Sequence, residues 1–152
     1  MASAWRIVRK ARAADAFSGE GARQYGGRWN SPGIPIIYAS AHQSLAALEI
    51  LVHLQPRGSL EFVAFRIELP GELITRVSIP SLPTGWRGEP PGLATMQIGD
   101  EWARAGRSAV LAVPSAIIPE EVNHLLNPAH PDYRQIVIHP PEAFTFDPRL
   151  IE

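Results

Sequence analysis

The sequence predicts a single compact α+β domain spanning residues 1–152, and three observations carry that prediction. Apolar residues alternate along Glu61–Leu69, with Val63, Phe65, Ile67 and Leu69 on one side and Arg66 and Glu68 on the other. That is the period of a half-buried strand. The stretch around Leu45–Val52 is apolar enough, with its flanks, for a packed helix. The chain's 15 prolines and 12 glycines imply many turns and short elements rather than a helical bundle. Helix and strand patterns do not alternate regularly, which is the order of a mixed fold.

In chain order, Trp5–Arg9 reads as a first strand and residues 15–33, rich in Gly, Ser and polar groups, as a long loop. Loops of that length in compact domains are often functional. Residues 35–40 read as a buried strand through Ile36, Ile37 and Tyr38, and residues 42–54 as the strongest helix. Glu61–Leu69 is the alternating strand, and Leu73–Ile79 is a second one, reached through the Pro70-Gly71 turn. Residues 80–92, with Pro80, Pro83, Pro90 and Pro91, read as irregular. Thr95–Ala105 predicts a helix ending at Gly106, and Ala109–Val113 a strand stopped by Pro114. Pro119–Leu125 predicts a short helix, with Glu120 and Glu121 at its positive end. Gln135–His139 and Phe144–Phe146 are the last expected strands.

Composition removes several classes of function. There is no cysteine, so disulfides, thiolate zinc sites and cysteine nucleophiles are excluded. A net charge of -1 provides no bulk attraction for nucleic acid or an anionic membrane. Lys10 is the only lysine among 14 basic residues. Such arginine usage fits anion recognition through the guanidinium fork, although genome-level codon bias is the stronger account for most of them. No run approaches the ~20 apolar residues of a membrane helix, and the start lacks the apolar core of a signal peptide. A soluble, cytoplasmic protein is expected.

Glu49 is the leading candidate for chemistry. Its helical neighbours are Leu45, Ala46, Val52 and His53, which form no charged stripe. A carboxylate in apolar surroundings is costly unless it is compensated, and active sites use that cost. A solvent-facing or structurally paired glutamate is the plain alternative. Arg28 follows Gly26-Gly27, where backbone can approach a ligand and a guanidinium can grip phosphate or carboxylate; otherwise it is a turn arginine. Tyr38 lies in an apolar strand, where a tyrosine is commonly core. Ser115 follows Pro114 at a strand end, and Asn127 sits in Leu126-Asn127-Pro128, a turn-forming context. The five histidines show no metal-binding spacing, and no phosphate loop, dinucleotide fingerprint or nucleophile elbow is present. No metal is expected. Trp5, Trp29, Trp86 and Trp102 read as core, because no basic stripe accompanies them.

Taken together, Gly27-Arg28-Trp29-Asn30, Tyr38-Ala39-Ser40 and Ala47-Leu48-Glu49 with His53 resemble the RES-domain toxins. So do Gly99-Asp100-Glu101-Trp102, the run Val113-Pro114-Ser115-Ala116-Ile117 with Pro119, Glu121, Asn123 and Leu125, and then Asn127-Pro128 and His130-Pro131. The similarity spans nearly the whole chain and is weakest from Pro70 to Leu93. The arginine, glutamate and serine that give that family its name fall on Arg28, Glu49 and Ser115.

The resemblance implies a fold similar to the ADP-ribosyltransferase toxins and a protein that consumes NAD+ as a substrate. It implies a partner, an Xre-type antitoxin with a helix-turn-helix domain, and a homodimer within a larger complex. On that basis Glu49, Arg28, Tyr38 and Ser115 are the expected catalytic residues. Arg28, Tyr38, Ser115, Arg6 and Asn127 are the expected NAD+ contacts, with Arg6 and Arg28 competing for the main phosphate contact. Cleavage of the nicotinamide–ribose bond with water or phosphate as acceptor is the leading reading. ADP-ribose transfer to a protein is the alternative, and a partner-binding module without turnover is a third reading. Direct DNA binding is not expected, because neither a basic surface nor a helix-turn-helix is legible.

Overall fold

The computed structural model describes residues 1–54 and 61–151. Eight strands form one mixed sheet: β1 (Ala2–Arg9), β2 (Ile37–Ser40), β3 (Phe62–Leu69), β4 (Ile74–Arg76), β5 (Val110–Pro114), β6 (Val122–Leu126), β7 (Val137–Ile138) and β8 (Glu142–Phe144). Their order is β4-β5-β6-β2-β1-β3-β7, and β8 also pairs with β3. All neighbours are antiparallel except β4 and β5. Among the described residues, three α-helices accompany the sheet: α1 (Glu20–Tyr25), α2 (Gln43–Leu51) and α3 (Leu93–Ala105). No helix among the described residues is long and apolar enough to cross a membrane.

The alternation read at Glu61–Leu69 is β3, which pairs with β1 along its whole length, Ala2 opposite Leu69 through Arg9 opposite Phe62. Register then sorts every strand into two faces. Trp5 lies opposite Ser40, Ser40 opposite Asn123, and Asn123 opposite Val113, so these four side chains share one face. On that face α2 packs through Ala46, Ala47, Ile50 and Leu51 against Ile7, Phe62 and Ala64. Further along it, Trp102 of α3 joins Trp29, Ile36, Leu111, Val113 and Leu125. The other face carries Ala4, Ile37, Ala39, Ile67, Leu69, Val110 and Leu126, covered by Leu73, Ile136, Phe17 and Tyr133.

Three expectations are corrected. The expected helix over Pro119–Leu125 is instead a turn followed by strand β6, wedged between β2 and β5. Pairing on both edges satisfies its backbone, and that outweighs the helix-like start at Pro119-Glu120-Glu121. The expected loop over residues 15–33 contains α1, a single polar helix of 6 residues with no buried side chain. The strand expected over Leu73–Ile79 contracts to β4, which pairs in parallel with β5.

Candidate active site

The site is built where α2 crosses the sheet face that carries Ser40 and Asn123. Glu49, on the last turns of α2, points at the ends of β5 and β6 rather than at open solvent. Ser115 Oγ donates to Glu49 Oε2 at 3.0 Å, and Asn123 Nδ2 donates to the same oxygen at 2.7 Å. Ser40 Oγ in turn donates to Asn123 Oδ1 at 2.7 Å, which fixes the amide's orientation. Oε1 of Glu49 has no hydrogen-bond partner among the described residues. One carboxylate oxygen is anchored and the other is left available.

Ser115 is fully buried, at 0% exposure. Besides donating to Glu49, its Oγ accepts from the amides of Ile117 (3.0 Å) and Ile118 (3.2 Å). The hydroxyl is therefore spent on closing its own loop and on holding Glu49. In this structure all three of its hydrogen-bonding positions are taken up by protein groups.

Arg28 and Tyr38 form a second group beside the first. Tyr38 stands two residues before Ser40 on the same strand face, about 7 Å along it. Its hydroxyl donates to Asn30 Oδ1 at 2.5 Å and accepts from the Trp29 amide at 3.2 Å. Burial raises this phenol above its ordinary pKa, so it stays protonated and keeps donating. Asn30 is itself fully buried and donates to the carbonyls of Ala22, Ser31 and Ile34. Gly27 is required by this packing, because a Cβ there would lie 2.7 Å from the Tyr38 hydroxyl. Below it, Gly99 of α3 meets the Trp29 carbonyl so closely that a Cβ would come within 1.7 Å of that oxygen. Asp100 then accepts from the Ser31 amide (2.8 Å) and hydroxyl (2.5 Å), locking α3 to the loop.

The Arg28 guanidinium reaches across to the segment before α3. Nη1 donates to the carbonyls of Trp86 and Gly88, both at 2.9 Å, and Nη2 to Glu89 Oε2 at 3.2 Å. Trp86 packs on Trp29 with ring centroids 6.5 Å apart. Arg87 extends to the other group, donating through Nε to the Ala116 carbonyl at 2.8 Å, next to Ser115. Residues 86–89 thus bridge the Arg28 corner and the Ser115 loop.

Arg6 meets the second group only at the backbone of Tyr38, and Asn127 makes no hydrogen bond to either group among the described residues. Arg6 has the parity of Ala4 and Val8 in β1, on the face opposite Trp5 and Ile7. Its guanidinium is tied to the carbonyls of Ala16 (2.7 Å) and Tyr38 (2.8 Å), and burial lowers its pKa to about 10. A cavity of about 220 Å³ adjoins it, below the ~300 Å³ of an ordinary ligand pocket. Asn127 donates to the Ala103 carbonyl and accepts from the Ala129 amide, closing the turn after β6 beside a cavity of about 380 Å³. Neither cavity is lined by Glu49 or Ser115. Asn123 and Ser40 are the site residues that sequence reasoning passed over. No local signal marked Asn123, because its segment reads as a helix; only the pairing of β6 with β2 sets it opposite Ser40.

A single mixed domain whose α2 presents a carboxylate to a serine and an asparagine on the sheet is the architecture these contacts define. A RES domain family model matches residues 3–147, so the chain belongs to the RES domain family. It is 43% identical over 155 residues to the Prs ADP-ribosylating toxin of Sphingobium sp. (strain YBL2), covering 98% of this chain and 96% of that protein. It is likewise 43% identical over 148 residues to the protein named Toxin Res of Yersinia enterocolitica, covering 96% and 97% respectively. Among solved structures, a chain of the M. tuberculosis MbcT–MbcA toxin–antitoxin complex superposes with a TM-score of 0.80 at 19% identity. That likeness covers 95% of this chain and 84% of the other, and it shows the fold.

Proposed function

We propose that this RES-family toxin cleaves the bond between ribose C1′ and the nicotinamide nitrogen of NAD+. The observation that carries the reading is the Glu49 carboxylate, anchored through Oε2 by Ser115 and Asn123 while Oε1 has no partner among the described residues. Nicotinamide departs from NAD+ as a neutral ring and takes the bonding electron pair with it, so no general acid is needed. A single carboxylate therefore suffices, unlike the pair a typical glycosidase requires. Positive charge gathers on the ribose as the bond lengthens. A negative oxygen already fixed beside it stabilises that charge without reorganising. Arg28 holds the pyrophosphate, and Tyr38, protonated, faces the nicotinamide ribose. Ser115 and Asn123 act through Glu49. Arg6, on the opposite face, braces β1 against β2 and makes no phosphate contact in this reading.

Attack on C1′ completes the reaction, and the acceptor gives up its proton. Water or inorganic phosphate as acceptor makes the protein a toxin that depletes NAD+. The relative named Prs ADP-ribosylating toxin favours a second reading, in which a protein side chain is the acceptor. Incubation with labelled NAD+ and lysate separates the two. Label confined to small molecules supports depletion, and label on a protein band supports transfer. NAD+ that persists unchanged in both conditions refutes cleavage altogether.

The MbcT–MbcA complex supports an antitoxin partner. We further propose that the partner is of the Xre type, that the toxin is a homodimer within the complex, and that it acts in the cytoplasm, where free NAD+ is available. Co-expression with the neighbouring reading frame, followed by mass measurement of the purified assembly, tests partner and stoichiometry together.

A further inference from the structure

The Arg28 guanidinium is only partly available to a ligand. Nη1 is committed to two backbone carbonyls, those of Trp86 and Gly88. The remaining edge, formed by Nε and Nη2, is the one that grips a phosphate with two parallel hydrogen bonds. Among the described residues its only occupant is Glu89, through one contact of 3.2 Å from Nη2. The two partners differ sharply in setting. The Arg28 side chain is 15% exposed and held by the fold, whereas that of Glu89 is 69% exposed. Glu89 can swing into water at little cost, and Arg28 cannot follow it.

We propose that Glu89 sets how tightly this site holds a phosphate-bearing substrate, because its carboxylate rests on the Arg28 edge that a phosphate would take. The inference rests on the reading that Arg28 binds the pyrophosphate. Glu89 is then a built-in competitor: an incoming phosphate displaces a carboxylate of like charge, and affinity is lower by the strength of that exposed ion pair. A merely structural Glu89, bracing residues 86–89, predicts the opposite sign, since loosening the brace weakens binding.

Calorimetric titration with ADP-ribose at low ionic strength, on the whole protein, distinguishes the two. Glu89→Gln is expected to lower Kd about twofold to fivefold, the range of an exposed pair. It is expected to leave binding of nicotinamide riboside, which has no pyrophosphate, unchanged. In an Arg28→Ala background Glu89→Gln is expected to have no effect. Unchanged or weaker ADP-ribose binding by Glu89→Gln overturns the inference, as does equal tightening toward nicotinamide riboside. If Arg28→Ala alone binds ADP-ribose as wild type does, the Arg28 reading itself falls. If Arg28→Ala binds weakly while Glu89→Gln is neutral, only the role of Glu89 falls.

Discussion

Replacing Ser115 by alanine tests the claim that this hydroxyl serves Glu49 and its own loop rather than a ligand. The substitution removes one bond to a carboxylate (3.0 Å) and leaves the amides of Ile117 and Ile118 without their acceptor. A hydrogen bond to a charged group contributes about 1.5–3 kcal/mol, and each amide left unpaired costs about 1 kcal/mol where water has partial access. These terms overlap, so the expected loss of stability is about 2–4 kcal/mol. In a domain of this size that lowers Tm by roughly 5–15 °C. Asn123 still holds Oε2 at 2.7 Å, so Glu49 is loosened rather than released. Turnover is expected to drop about tenfold, equivalent to about 1.4 kcal/mol of transition-state stabilisation, with KM little changed. Calorimetry and steady-state NAD+ consumption on the same preparation measure both effects. A Ser115→Ala protein with wild-type Tm and kcat, or one that loses affinity for NAD+ while keeping kcat, refutes the reasoning.

Two further predictions concern the frame around the site. Gly99→Ala places a methyl 1.7 Å from the Trp29 carbonyl, and because that neighbour is backbone, α3 must move. The expected cost is at least about 3 kcal/mol, seen as a large fall in the urea midpoint, with Arg28 and Trp29 displaced together. His124 gives a pH signature. It is buried on β6, where desolvation, and secondarily Arg76, lowers its pKa from 6.5 to about 4. The unfolded chain therefore takes up a proton first as pH falls. The associated stability is complete above pH ~6.5, declines between ~6.5 and ~4, and levels off below, by about 3 kcal/mol in all. Denaturant midpoints at pH 7, 5.5 and 4 should follow that course, and His124→Gln should flatten it.

Much of the fold is legible in the sequence because its period-two and apolar patterns are local. On β3, Phe62 and Ala64 are buried under α2 while Arg66 and Glu68, farther along that face, are partly exposed, so the alternation is sharp only over Phe65–Leu69; the Leu45–Val52 run is helical because it packs on that sheet. Strand β6 was hidden for a tertiary reason: Val122-Asn123-His124-Leu125-Leu126 carries one β-branched residue, and only pairing with two neighbours makes it a strand. Helix α1 was hidden because it touches the core only through half-buried Ala22, too little for an apolar stripe. The site divides in the same way. Glu49 stands out locally as a lone charge among apolar residues. Its link to Ser115 and Asn123 spans 66 and 74 residues, and no spacing in the chain encodes that contact. Arg6 falls in a strand pattern and Arg28 after two glycines; the parity of β1 is what sends Arg6 to the opposite face.

The most direct test of the account is NAD+ turnover by Glu49→Gln, followed by proton NMR with and without phosphate. The glutamine oxygen can still accept from Ser115 and Asn123, so the fold is kept while the negative charge beside the ribose is lost. A fall in turnover of at least ~100-fold in a protein that still folds is the predicted result. A folded Glu49→Gln protein that consumes NAD+ at close to the wild-type rate would contradict it.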